Sequence, residues 1–95
     1  MDNQKTVLIV EDNETLQGSY SEALESAGYS TLGALDGYHG LDLMVNNLGK
    51  ISLLLLDLMM PGVDGLEVLR TVKENEEKYG SVPIVILTNM TSENV

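Results

Sequence analysis

Residues 51–65, ISLLLLDLMMPGVDG, constrain this chain more than any other stretch. Ile51 and Leu53 to Leu56 run almost unbroken into a single acid, Asp57, and a Pro/Gly loop follows. An apolar run this short, bounded by turn residues, reads as a strand buried on both faces. Asp57 then stands at the strand's carboxyl end, the edge where open α/β sheets bind ligands. A carboxylate there needs water, a cation or a hydrogen-bond donor.

The flanking segments supply the rest of such a sheet. Residues 6–10, TVLIV, make a second buried strand ending at Glu11 and Asp12. Asn13 suits a helix N-cap, with Glu14 in the first turn. Leu16, Tyr20, Ala23, Leu24 and Ala27 recur at helical spacing, and Gly28 suits the stop. Residues 29–34 form a weaker, more polar strand of edge character. Leu41, Met44, Val45 and Leu48 mark a second helix, ending near Asn47 and Gly49. A third helix runs from Gly65 to Gly80, with Leu66, Leu69 and Val72 inward. VPIVILT, residues 82–88, reads as another buried strand, with Pro83 tolerated near its start.

The order β-α-β-α-β-α-β implies a parallel sheet with helices on both faces. Ninety-five residues make one domain. With no Phe, Trp or Cys, the core is Leu, Val, Ile and Met, and disulfides are excluded. That is compatible with a cytoplasmic setting, which is the expectation here. No apolar stretch approaches the roughly 20 residues that span a bilayer. Fifteen acids against five bases give a net charge of −10, which repels nucleic acid and anionic lipid. No membrane or direct nucleic-acid partner is expected for this segment.

Glu11-Asp12, Asp57 and Thr88 all close strands, and in a parallel sheet those ends share one edge. Singly, each has an ordinary explanation: helix capping for the acid pair, a turn for Asp57, a strand residue for Thr88. Together they place three carboxylates and a hydroxyl in one small site. Like charges so close resist ionisation unless a cation joins them. Oxygen donors without His or Cys suit a hard ion, Mg2+ before Zn2+. Mg2+ in such a site usually shares phosphate oxygens, so Asp57 is a candidate nucleophile for a phosphoryl group.

VLIVEDN (7–13), LLLLDLMMPGVDG (53–65) and PIVILT (83–88), in this order and spacing, resemble the receiver domain of bacterial two-component response regulators. The likeness covers the whole chain, and its most specific part is Asp57 with Pro61 and Gly65 beside the acid pair. It implies a flavodoxin-like, doubly wound sheet. It implies that Asp57 is the phosphoacceptor in a phosphorelay, receiving a phosphoryl group from a phosphohistidine of a sensor histidine kinase. Glu11 and Asp12 would hold Mg2+, Asp12 more directly, together with Asp57 and the backbone carbonyl of Met59. Thr88 would be the switch hydroxyl. Met59 and Met90 would flank the phosphoryl group and slow its hydrolysis.

Family members also carry a Lys and an aromatic switch residue on a fifth strand, a further helix, and a small residue where Asn89 stands. None of the four lysines here falls at a strand's carboxyl end. Residues 1–95 are therefore expected to be the N-terminal portion of a receiver domain, with the last strand and last two helices absent or mostly absent. Strand 82–88 would become an open edge and pair two copies into a homodimer. The alternative function is a truncated, non-phosphorylatable fragment acting as a binding or dimerising module. A haloacid dehalogenase-type phosphatase would need a second acid where Met59 stands. A nucleotide binder would need glycines in the turn at Glu11-Asp12-Asn13.

Overall fold

The computed structural model describes residues 4–60 and 65–87. Four strands form one parallel sheet. They are β1 (Thr6–Val10), β2 (Ser30–Ala34), β3 (Ile51–Asp57) and β4 (Ile84–Leu87), in the order β2-β1-β3-β4. The helices are α1 (Glu14–Ser26), α2 (Gly37–Asn46), α3 (Gly65–Glu74) and α4 (Glu76–Tyr79). The alternating pattern thus yields the flavodoxin-like α/β arrangement expected from the sequence.

β1 and β3 lie in the middle of the sheet, where both faces are covered. Leu8 and Val10 of β1 and Leu54 and Leu56 of β3 are wholly buried. They form the core with Met44 of α2, Val68 and Val72 of α3, and Tyr79 of α4. Strand side chains alternate between faces, so Val7 and Ile9, also buried, point to the opposite side. There α1 lies across β1 and β2. β2 is an edge strand, as its polarity suggested.

Several packing expectations differ at the level of single residues. Val45 of α2 and Leu48 just after it are exposed, and Leu43 packs on the core instead. In α3, Leu66 is exposed and Val68 is buried. A 3.6-residue repeat locates an apolar stripe but not its centre, and the contact of α2 with α3 selects which side of the stripe turns inward. In α1 no residue is buried, and Ala23 and the C-cap Ala27 are exposed. β4 is half-buried rather than buried, with Val85 45% exposed, because it is the outer strand among the described residues.

The single helix expected over 65–80 is broken at Asn75. The Asn75 side-chain amide donates to the Thr71 carbonyl at 2.8 Å. That carbonyl would otherwise take the Asn75 backbone N–H, which turns to Val72 O instead. Asparagine competes with the helix backbone in this way, and a new short turn, α4, starts after it.

Candidate functional site

Strand register assembles the site. Val10 of β1 is paired with Leu56 of β3, so the next residues, Glu11 and Asp57, emerge side by side at the carboxyl edge. Leu87 of β4 lies opposite Asp57 on the other side. Thr88, Pro61 and Met90 lie outside the described residues.

Asp57 is 0% exposed and Glu11 1% exposed, whereas Asp12 faces solvent. One carboxylate oxygen from each of the three lies within 4.8 Å of the others. Each buried acid has one oxygen held by a backbone donor. The Met59 N–H donates to Asp57 Oδ1 at 2.9 Å, and the Asn13 N–H donates to Glu11 Oε2 at 3.0 Å. Their second oxygens, Asp57 Oδ2 and Glu11 Oε1, are buried with no hydrogen-bond partner. Burial pushes the Glu11 carboxyl above its ordinary range, the adjoining Asp57 adds to the rise, and the Asn13 N–H opposes it.

Buried oxygens of this kind cost free energy unless something satisfies them. The donor set is all oxygen, with two buried carboxylates and one exposed. That fits a hard divalent cation such as Mg2+. Among the described residues no lysine or arginine stands at the carboxyl end of a strand. Lys5 and Lys50 lie just before β1 and β3, at the opposite edge, and Arg70, Lys73 and Lys78 lie on α3 and α4.

Local sequence explains how these acids are held. Asn13 caps α1, its Oδ1 accepting the Leu16 N–H at 3.0 Å. The same residue's N–H fixes Glu11, so helix initiation and carboxylate orientation are one event. Gly65 opens α3 directly against the Asp57 backbone. A Cβ at that position would collide with the Asp57 carbonyl oxygen and lie 2.5 Å from the Leu58 Cα. The glycine eight residues after Asp57 is thus a requirement of helix-to-strand contact. Met59 is 63% exposed, and its backbone N–H is the donor to Asp57. Gln17, which no sequence pattern singled out, reaches the same edge. Its side chain bonds the carbonyls of Glu11 and Ala34. A polar residue on the expected inner side of α1 was the available signal.

Comparison with known proteins agrees with this geometry. The family model described as response regulator receiver domain matches residues 7–95. An uncharacterised transcriptional regulatory protein of Bacillus subtilis, YrkP, is 38% identical over 90% of the chain, which spans 34% of YrkP. The CAI-1 autoinducer sensor kinase/phosphatase CqsS of Vibrio cholerae is 33% identical over 95% of the chain, which spans 13% of CqsS. The chain thus corresponds to about a third of one relative and about an eighth of the other. Among solved structures, the Thermotoga maritima response regulator TrrA, determined in complex with Mg2+-BeF, superposes with a TM-score of 0.78 at 31% identity. That match covers 93% of this chain and 72% of TrrA. With the parallel fold, the acid trio at its carboxyl edge and a family match running from β1 through the last residue, this chain belongs to the response regulator receiver domain family.

Proposed function

We propose that Asp57 is the phosphoacceptor of this chain and takes its phosphoryl group from a phosphohistidine of a sensor histidine kinase. One observation carries the reading. Asp57 is wholly buried at the end of a central strand, with Oδ1 anchored by the Met59 N–H and Oδ2 unpartnered beside Glu11. An Asp57 oxygen forms the new bond to phosphorus while the P–N bond to the donor imidazole breaks, and the released imidazole nitrogen recovers a proton.

Glu11, Asp12 and Asp57 supply the carboxylates for Mg2+, Asp12 from the solvent side, with the Met59 backbone carbonyl as a further oxygen. When bound there, Mg2+ neutralises charge on the phosphoryl oxygens. The protein's own part is positioning: Met59 orients Asp57 and Asn13 orients Glu11. Thr88 serves as the switch hydroxyl, contacting the added phosphoryl group. The new charge of about −1.5 to −2 then biases the surrounding loops. The domain is a phosphoacceptor for signalling rather than a turnover enzyme, acting in the cytoplasm. Its net charge of −10 argues against direct nucleic-acid binding.

The direct test is intact mass after incubation with a small phosphodonor and Mg2+, beside Asp57→Ala. The expected result is a gain of one phosphoryl, absent from the variant. A folded wild-type chain that gains none, or a gain that survives in Asp57→Ala, would overturn the assignment.

A second reading rests on β4, whose outer side is unpaired among the described residues and whose Val85 is 45% exposed. The 95-residue chain forms a homodimer through the segment 82–88, working as a binding module whether or not it is phosphorylated.

A further inference from the structure

Helix α1 buries no residue, and polar side chains tie it to the sheet. Toward its carboxyl end, Ser21 Oγ and Thr31 Oγ1 are 2.6 Å apart, and Thr31 donates to Glu25 Oε2 at 2.9 Å. Near the acid site the tie is Gln17. Its Nε2 donates to the Ala34 carbonyl at 2.8 Å and to the Glu11 carbonyl at 3.3 Å. The Ala34 carbonyl also accepts the Glu11 backbone N–H at 3.1 Å. One carboxamide therefore spans the carboxyl ends of β1 and β2 and holds the peptide of Glu11 on its carbonyl side. The Ala34 carbonyl holds it on the amide side.

The sheet is shaped to admit this side chain. Gly33 lies beneath the carboxamide, and a Cβ there would collide with Gln17 Oε1 and come within 2.7 Å of its Cδ. Glu11, the residue so gripped, is the buried acid whose Oε1 has no partner.

We propose that Gln17 is a positioning residue for the divalent-cation site: it fixes the Glu11 backbone so that the Glu11 carboxylate stays aimed at Asp57. This rests on the reading of Glu11 as part of the cation site. Groups one step removed from the ligands commonly set their orientation, and losing one typically costs about 10- to 100-fold in metal affinity. Gln17→Met keeps length and bulk but loses both donors. Gly33→Ala keeps Gln17 and displaces its carboxamide. The two act through one contact, so their effects on cation affinity are non-additive.

The test is Mg2+ titration by isothermal calorimetry on wild type, Gln17→Met, Gly33→Ala, the double variant and Glu11→Gln, with folding of each verified by circular dichroism. The expected result is a Kd weakened about tenfold or more in each single variant, and no further weakening in the double. A purely structural role would lower the unfolding midpoint and leave the Kd of the folded protein unchanged. Such a result, with Glu11→Gln abolishing binding, overturns the proposal while sparing the cation site. If Glu11→Gln binds Mg2+ as wild type does, or wild type binds none, the cation reading of Glu11 falls and this proposal with it. Gly33→Ala alone decides the matter if Gln17→Met does not fold.

Discussion

Glu11 and Asp57 stand side by side because Val10 and Leu56, one residue earlier in each strand, are paired across the sheet. Each buries one carboxylate oxygen without a partner. Two acids are thereby forced into an apolar strand end where neither is fully solvated. This arrangement is costly alone and favourable with a cation.

The cost predicts an unusual pH dependence in the absence of divalent cation. Glu11 titrates higher in the folded chain than its ordinary value of 4.5. As pH rises past 4.5 the unfolded chain releases this proton first, so folding stability falls until the raised folded value is passed, and the loss persists above it. Glu11→Gln removes this loss. Its urea midpoint at neutral pH without Mg2+ should exceed that of wild type, and the gap should close at pH below 4.5. Mg2+ at about 100 times its Kd should add about 2.7 kcal/mol to wild type and little to the variant. A Glu11→Gln midpoint below wild type at neutral pH would contradict the argument.

Gly65 should tolerate no side chain. A Cβ there meets backbone of Asp57 and Leu58, which cannot rotate away as a flexible side chain can. Gly65→Ala is expected to destabilise by about 1–3 kcal/mol, the usual range for forced overpacking, and to slow phosphoryl gain by displacing Asp57. Urea denaturation and a mass-based phosphorylation time course measure the two effects. A variant as stable and as fast as wild type would show that α3 can move off the strand.

Met59 should shield the phosphoryl group. Its N–H already sits on Asp57, two residues earlier, and the residue is 63% exposed. An apolar side chain there excludes water that a polar one would admit. Met59→Asn is expected to shorten the lifetime of the phosphorylated chain several-fold, read by the decay of the phosphorylated mass after the donor is removed. An unchanged or longer lifetime would reduce Met59 to a filler of space.

The outer side of β4, unpaired among the described residues, should bring copies of this 95-residue chain together, since an open apolar edge offers a template for another strand. Light scattering at tens of micromolar is expected to give the mass of two chains. Val85→Lys, which charges that edge, should return it to one. A monodisperse single-chain mass for the unsubstituted protein would remove the reading.

Residue pattern alone determined the alternating parallel fold and, through it, the acid site. Short apolar runs at 6–10 and 51–56 cannot be satisfied except by burial on both faces. Parallel strands then bring Glu11, Asp12 and Asp57 to one edge whatever their order in the sheet. Local rules also located Asn13 as a cap, because a cap needs only the residues beside it. The tertiary structure decided what depends on distant neighbours. It placed β1 next to β3, so Glu11 rather than Asp12 is the acid buried against Asp57. It selected Val68 over Leu66 and Leu43 over Val45 for the core through the contact of α2 with α3. It docked α1 by polar ties and gave Gln17 its place against Ala34, seventeen residues away. These outcomes are set by which surfaces meet, and a one-dimensional pattern carries the period of a surface but not its partner.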